Sequence, residues 1–205
     1  MKIVFAAFIL FSGMLSSQHT IPDDYRKIPE ILDKVEYLYP FIQPDQQYEY
    51  WKVLSNEEDQ EKAIIYESQM PESMTINEPA PAKGFFQKCF SNGCFSYIIA
   101  CKDNRPEYFT TEKKLRDFIG VVDNIPEAIL IAQTYGFLVD SKDKSGGSYK
   151  IENDHILMYL SKVKYCPETK ESFWVKIDRK TGKLESRSNG IYYKSDNCIH
   201  SLNSN

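Results

Sequence analysis

The chain has 205 residues, of which 42% are hydrophobic and 14% aromatic, and its formal net charge is −4 at pH 7. This composition supplies enough apolar surface for a packed core and excludes an intrinsically disordered chain. The acidic balance argues against nucleic acid or an anionic membrane surface as the main partner.

The first 18 residues have the pattern of a signal peptide. Lys2 provides a short positive region, residues 3–15 are an apolar run, and Ser16-Ser17-Gln18 supplies small and polar residues for cleavage. The run is too short to cross a bilayer, which takes roughly 20 residues, although a buried core helix is the alternative. Since no second long apolar run follows, we expect a secreted or periplasmic protein without a membrane anchor after cleavage.

Residues 19–69 are predicted to be a helical N-terminal region. Apolar residues recur at steps of three and four from Ile28 to Ile42, which is typical of a helix with one buried face. A second helix is predicted from Asp45, with Tyr48, Trp51 and Leu54 on one side, and a third is predicted after Asn56. Residues 70–84 contain three prolines and no steady period, which predicts an extended linker.

Residues 85–200 are predicted to form an α+β domain. Asn92-Gly93 between apolar segments indicates a hairpin. Helices are predicted after Thr110 and Asn124, and strands at residues 149–151, 155–165, 173–177 and 191–193. The predicted fold is therefore α+β: N-terminal helices, a Pro-rich linker, and an antiparallel sheet with two helices packed on it.

The five cysteines are interpreted as a disulfide framework, because that is the default in an oxidising compartment. Cys166 with Cys198 is the first predicted pair, since each lies at the end of a candidate strand. Cys89 with Cys94 is the second, as diagonal neighbours on the predicted hairpin. Cys101 then remains, either as a buried thiol, as an alternative partner for Cys94, or in an intermolecular bridge.

No catalytic, cofactor or metal signature is found in the sequence. The cysteine spacing lacks the close pairs of zinc sites, and neither a nucleophile elbow nor a phosphate-binding glycine loop occurs. A Cys–His pair remains an alternative, with Cys101 or another free thiol as the nucleophile and His155 as the base. The expectation is therefore a protein that is not an enzyme and has no cofactor.

A resemblance adds to this interpretation. The helix PEAILIA at residues 126–132, the strand WVKID at 174–178 and the turn RKTGK at 179–183 resemble a PepSY-type module, the small secreted domain of thermolysin-like peptidase propeptides and of cell-envelope proteins. The similarity covers residues 126–186. The whole chain is also similar to secreted proteins of environmental bacteria.

The resemblance implies a non-catalytic module that binds or restrains a protein or peptide partner, such as a peptidase. A sheet with an available edge can bind an extended segment by strand addition. The alternatives are a Cys-dependent hydrolase and a structural or stress-related envelope protein.

Overall fold

The computed structural model describes residues 20–57, 60–71, 79–86 and 94–198. Two antiparallel sheets account for most of the regular structure. A five-stranded sheet has the order β1-β6-β7-β8-β9, and a four-stranded sheet has the order β3-β2-β4-β5. The predicted signal peptide and the predicted Asn92-Gly93 turn lie outside the described residues.

The predicted fold class is wrong, and the N-terminal region shows why. Instead of a long helix, residues 30–41 form three short 3-10 helices, at Glu30–Asp33, Val35–Tyr37 and Tyr39–Phe41. Lys34 adopts an extended conformation between the first two and interrupts any continuous helix. The apolar residues of this segment reach the core through separate turns, so their helix-like spacing does not reflect one helical face.

The second and third predicted helices are strands. β2 is Tyr50–Glu57 and β3 is Gln60–Glu67, and they pair with each other. β2 buries side chains on both faces: Trp51 and Val53 belong to the main core, and Leu54 to a second cluster on the opposite face. The spacing of Tyr48, Trp51 and Leu54 resembled a helix because a strand buried on both faces carries apolar residues at odd and even positions alike.

The four-stranded sheet continues across the predicted linker. β4 is Phe95–Lys102 and β5 is Arg105–Phe109, and β2 pairs with β4. The described part of the linker lies against this sheet, because Ala80 packs on the second cluster and the Tyr108 hydroxyl donates to the Pro79 carbonyl at 3.1 Å. Strands from both sides of the segment thus belong to one sheet.

The strands predicted in the C-terminal half are confirmed as elements of the five-stranded sheet. β6 is Gly147–Ile151, β7 is His155–Tyr165, β8 is Glu168–Asp178 and β9 is Leu184–Lys194. The sheet's other strand, β1 at Arg26–Lys27, lies in the region predicted to be helical. β7 has the predicted bounds. β8 and β9 are longer than predicted, because the additional residues, half-buried in β8 and mostly exposed in β9, lack the apolar alternation that marks a buried strand.

Two α-helices occur where the sequence predicted them. α1 is Glu112–Ile119, and its N-cap is Thr111, one residue after the predicted Thr110. α2 is Ile125–Gln133, and its N-cap is Asn124, as predicted. α2 is buried along residues 125–132 and shares one hydrophobic cluster with residues of both sheets. A helix that is apolar on every side is typical of the interior of a protein, so α2 forms the centre of the core.

The buried carboxylate of Glu127 connects α2 to the N-terminal segment. Glu127 is 0% exposed. Its Oε1 accepts a hydrogen bond from the Gln43 backbone at 2.7 Å, and its Oε2 accepts from the Asp123 and Asn124 backbones at 2.7 and 3.3 Å. The Asn124 side chain in turn donates to the Phe41 carbonyl at 2.9 Å. Burial raises the pKa of Glu127 above its ordinary value of 4.5, although these backbone donors act in the opposite direction.

We expect the substitution Glu127→Gln to destabilise the protein by about 2–3 kcal/mol, because the amide turns a donor towards at least one buried backbone N–H. The measurement is urea unfolding, with Glu112→Gln in the first turn of α1 as the control. Since the folded-state pKa of Glu127 is raised, the wild-type free energy of unfolding should fall as the pH rises from about 4.5 through that pKa. The Gln variant should lack this contribution. Equal stability of the two Gln variants would contradict the assigned role.

Candidate functional site

The disulfide between Cys166 and Cys198 is confirmed. It lies at the end of the β7–β8 hairpin and joins that hairpin to the chain just after β9. Cys94 is also disulfide-bonded, but Cys89, its predicted partner, lies outside the described residues. Cys101 is a buried thiol, 3% exposed.

Cys101 and His155 are placed in different sheets. Cys101 lies on β4, opposite Tyr50 and Pro106. His155 begins β7, and its Nε2 is 3.9 Å from the Asp178 carboxylate. The geometry therefore does not assemble the Cys–His pair that the sequence left open.

β9 is a long and largely exposed strand of the five-stranded sheet. Within the described chain, β9 lies at one edge of that sheet, and along its 11 residues it pairs only with β8. Its side chains are mostly exposed, including Ile191 and Tyr193. An edge strand of this length carries unpaired backbone donors and acceptors that another extended segment can meet. We define the β9 edge as the unpaired side of this strand.

The β8–β9 turn fixes the start of the β9 edge. The Asp178 carboxylate accepts hydrogen bonds from the backbone N–H and the hydroxyl of Thr181, both at 2.8 Å. These bonds, together with one from the Lys180 backbone N–H, lower the pKa of Asp178. Gly182 has φ +63°, which is a conformation that favours glycine. The turn is therefore closed by local polar contacts.

Arg179 ties the same turn to the loop that precedes α2. Its side chain donates to the carbonyls of Val122 and Asp123, at 3.2 and 3.3 Å, and to that of Asn153 at 3.3 Å. The Val122 backbone N–H donates in return to the Arg179 carbonyl at 2.7 Å. The beginning of β9 is thus held in a fixed position relative to the helix at the centre of the core.

Asp140 fixes the other end of β9. Its Oδ2 accepts from the Tyr192 hydroxyl at 2.9 Å and from the Lys170 ammonium at 2.7 Å. Burial raises the pKa of Asp140, but the hydrogen bonds from Lys170 and Tyr192 and the charge of Lys170 outweigh it, so the pKa lies below its ordinary value. Burial and the adjacent carboxylate raise the pKa of Tyr192. The phenol therefore remains a hydrogen-bond donor at neutral pH.

An aromatic cluster supports the middle of β9 from the outer face of the sheet. The Arg187 guanidinium lies 4.6 Å from the Trp174 ring, on the neighbouring strand. The Trp174 indole N–H donates to the Tyr25 hydroxyl at 3.2 Å, and the rings of Tyr25 and Tyr159 meet edge to face at 4.9 Å. Stacking on Trp174 restricts the Arg187 side chain and strengthens the contact of β9 with β8.

Only part of the β9 edge has a regular backbone. The β8–β9 register is irregular at two places, which leave Asn189 and Tyr192 as extra residues on β9, and Gly190 has φ +94°. Bulges of this kind interrupt a ladder and protect an edge against pairing. Residues 184–188 keep a continuous register with β8. The open part of the edge is therefore its first five residues.

Ser186 presents its backbone to the open side. The Asp178 backbone N–H donates to the Lys183 carbonyl at 3.0 Å, so these two residues form a hydrogen-bonded pair of the ladder. Hydrogen-bonded and non-hydrogen-bonded pairs alternate in antiparallel sheets. Counting on from Asp178–Lys183, the third pair along the ladder is Val175–Ser186, which is therefore a non-hydrogen-bonded pair. Consequently, the N–H and C=O groups of Ser186 point away from β8.

The comparisons with known proteins give no match: no family model fits the chain, and neither the search of curated proteins nor that of solved structures finds a similar protein. The PepSY-type resemblance therefore stays a prediction. In the described segments, no helix is long and apolar enough to cross a membrane. The same segments contain no group of three or more His, Cys, Asp or Glu residues that could hold a metal ion.

Sequence reasoning did not identify β9 as an edge. Its sequence LESRSNGIYYK alternates poorly because two bulges change the register and both faces are largely exposed. The sequence did provide one signal, the turn Asp178-Arg179-Lys180-Thr181-Gly182, which marks where the strand begins. The roles of Arg179, Asp140 and Tyr192 depend on contacts distant in sequence, which no local pattern reveals.

Removing the disulfide by the double substitution Cys166→Ser and Cys198→Ser should lower the free energy of unfolding by about 3–4 kcal/mol, because the bridge closes a loop with a sequence separation of 32 residues. Chemical denaturation under non-reducing conditions measures the effect, and Ser186→Ala on the same sheet edge is the control. A loss below about 1 kcal/mol would show that the bridge does not restrain the unfolded chain.

Proposed function

We propose that this protein is a secreted or periplasmic, non-catalytic binding module that takes an extended segment of a partner protein onto the β9 edge. The observation that carries the proposal is the regular, unpaired backbone of residues 184–188, held in place at both ends of the strand. A peptidase is the partner class that the PepSY-type resemblance implies.

Two further observations support this proposal. The disulfide between Cys166 and Cys198 suits an oxidising compartment, where the predicted signal peptide would deliver the chain. The anchoring of β9 by Arg179 and Asp140 means that little conformational freedom is lost on binding. Preorganisation of this kind increases affinity by reducing the cost of ordering the binding surface.

The test compares Ser186→Pro with Ser186→Ala in the full-length chain, tagged at its C-terminus and expressed in the source organism. Proline removes the outward N–H of Ser186 without removing a β8–β9 hydrogen bond, whereas alanine keeps that N–H. We expect the wild type and the alanine variant to co-purify a stoichiometric partner. The proline variant should retain about tenfold less of it, since a lost backbone hydrogen bond weakens binding by about 1–1.5 kcal/mol.

Two results would contradict the proposal separately. Equal capture by the proline and alanine variants would remove the β9 edge as the binding site. The absence of any stoichiometric partner, even after cross-linking before lysis, would overturn the binding-module function itself. Thermal unfolding of both variants checks that each is folded.

A further inference from the structure

A cationic groove opens beside the β8–β9 turn. Its volume is about 630 Å³. One wall is the exposed side of α1, which contributes Lys113 and Arg116, and another is the turn, which contributes Lys180 and Lys183. Four cationic side chains therefore surround a groove in a protein whose net charge is −4. A local excess of positive charge in an acidic protein attracts an anionic ligand to that place.

Two carboxylates also line the groove and limit its charge. Asp117 forms an ion pair with Lys113 at 2.6 Å, which neutralises part of the α1 wall. Asp45 lies at the C-terminal end of α1, where its backbone N–H donates to the Phe118 carbonyl at 2.9 Å. The groove is thus mixed in charge with a positive excess, and a ligand with spaced negative charges can contact the cations while keeping its charges away from the two carboxylates.

Arg116 is held in a fixed orientation in the groove. Its guanidinium donates to the Thr134 hydroxyl at 2.9 Å and lies 4.7 Å from the Tyr135 ring. The Thr134 hydroxyl itself donates to the Ile131 carbonyl at 2.6 Å, which sets the direction of its lone pairs. A guanidinium stacked and hydrogen-bonded in this way retains further N–H donors, whose geometry fits a carboxylate.

The two lysines of the turn are only loosely paired. Lys180 is 3.9 Å from the Asp154 carboxylate, and its side chain is 81% exposed. Lys183 is 3.6 Å from the Glu185 carboxylate, with 74% of its side chain exposed. Exposed pairs at these distances contribute little to stability. Both ammonium groups can therefore turn to a ligand in the groove without a large loss.

We propose that the groove binds acidic residues of the same extended segment that pairs with the β9 edge. This inference rests on the proposed function and adds the chemistry of the partner. Lys183 lines the groove, and β9 begins at the next residue, Leu184. A segment added antiparallel to β9 runs towards this end, so the residues that follow its paired stretch reach the groove. The partner segment then has a β-forming stretch followed, on its C-terminal side, by aspartate or glutamate.

An acidic peptide fits these observations better than a membrane or free phosphate. The cations line a concave groove instead of a flat face, and Asp45 and Asp117 inside it disfavour a doubly charged phosphate. The net charge of −4 opposes adsorption on an anionic bilayer. Spaced carboxylates on a peptide can contact Arg116 and the turn lysines while avoiding the two aspartates.

The experiment selects ligands from a random peptide display library on the immobilised chain with its disulfides intact. We expect the selected peptides to be enriched in Asp and Glu after a β-forming stretch. Synthetic copies of them should bind about tenfold more weakly to the double variant Lys180→Gln/Lys183→Gln than to the wild type, as measured by fluorescence anisotropy at low salt. The matched control is Lys142→Gln/Lys164→Gln, which removes the same charge from exposed positions outside the groove.

The outcomes separate the two proposals. Selected peptides without acidic enrichment, or with equal affinity for the groove and control variants, would overturn the groove while leaving the β9 edge in place. If no selected peptide binds the Ser186→Pro variant more weakly than the Ser186→Ala variant, the β9 proposal is overturned and the groove proposal with it. Competition by inorganic phosphate, or binding to phosphatidylglycerol vesicles that is lost in the groove variant, would show a different anionic ligand and contradict the peptide assignment.

Discussion

The buried carboxylate of Glu127 is the contact on which the arrangement of the core depends. A carboxylate without water is tolerated only when hydrogen bonds replace its hydration, and here three backbone N–H groups do so. One of them belongs to Gln43, far away in sequence, and the other two belong to the loop at the start of α2. The same side chain therefore caps the helix and fixes the N-terminal segment against it. An apolar residue at this position would leave these donors unsatisfied.

The position of α2 then determines where the candidate site lies. Both sheets pack around this helix, so the loop before it is close to the core and to the β8–β9 turn. Arg179 connects the turn to that loop through the carbonyls of Val122 and Asp123. The start of β9 and one wall of the cationic groove are consequently fixed relative to the hydrophobic core. Glu127 and Arg179 thus both bind backbone groups of the loop at residues 122–124.

The sequence predicted those elements whose pattern depends on local chemistry. Asn124, Pro126 and Glu127 mark the start of α2 because each satisfies a need of a helix N-terminus. β7 was predicted with its bounds because it is apolar on both faces. The helix predicted from Asp45 was wrong for the same physical reason, since β2 is also buried on both faces and its apolar spacing imitates a helix. β9 has little apolar periodicity, so the sequence predicted only its preceding turn, a short strand at residues 191–193 and the Cys166–Cys198 pair, and not the open edge at residues 184–188.

A strand that serves as a binding edge must be ordered before its partner arrives, because ordering it during association would reduce the affinity. β9 lies largely outside the core and cannot obtain this order from hydrophobic burial. Polar contacts order the strand instead. At one end these are the contacts of the β8–β9 turn, and at the other end they are the hydrogen bond between Tyr192 and Asp140, together with the disulfide. Between them, bulges close the second half of the edge and leave residues 184–188 open. The open stretch is therefore short and lies beside the cationic groove, so that backbone pairing and side-chain charge can act on the same segment.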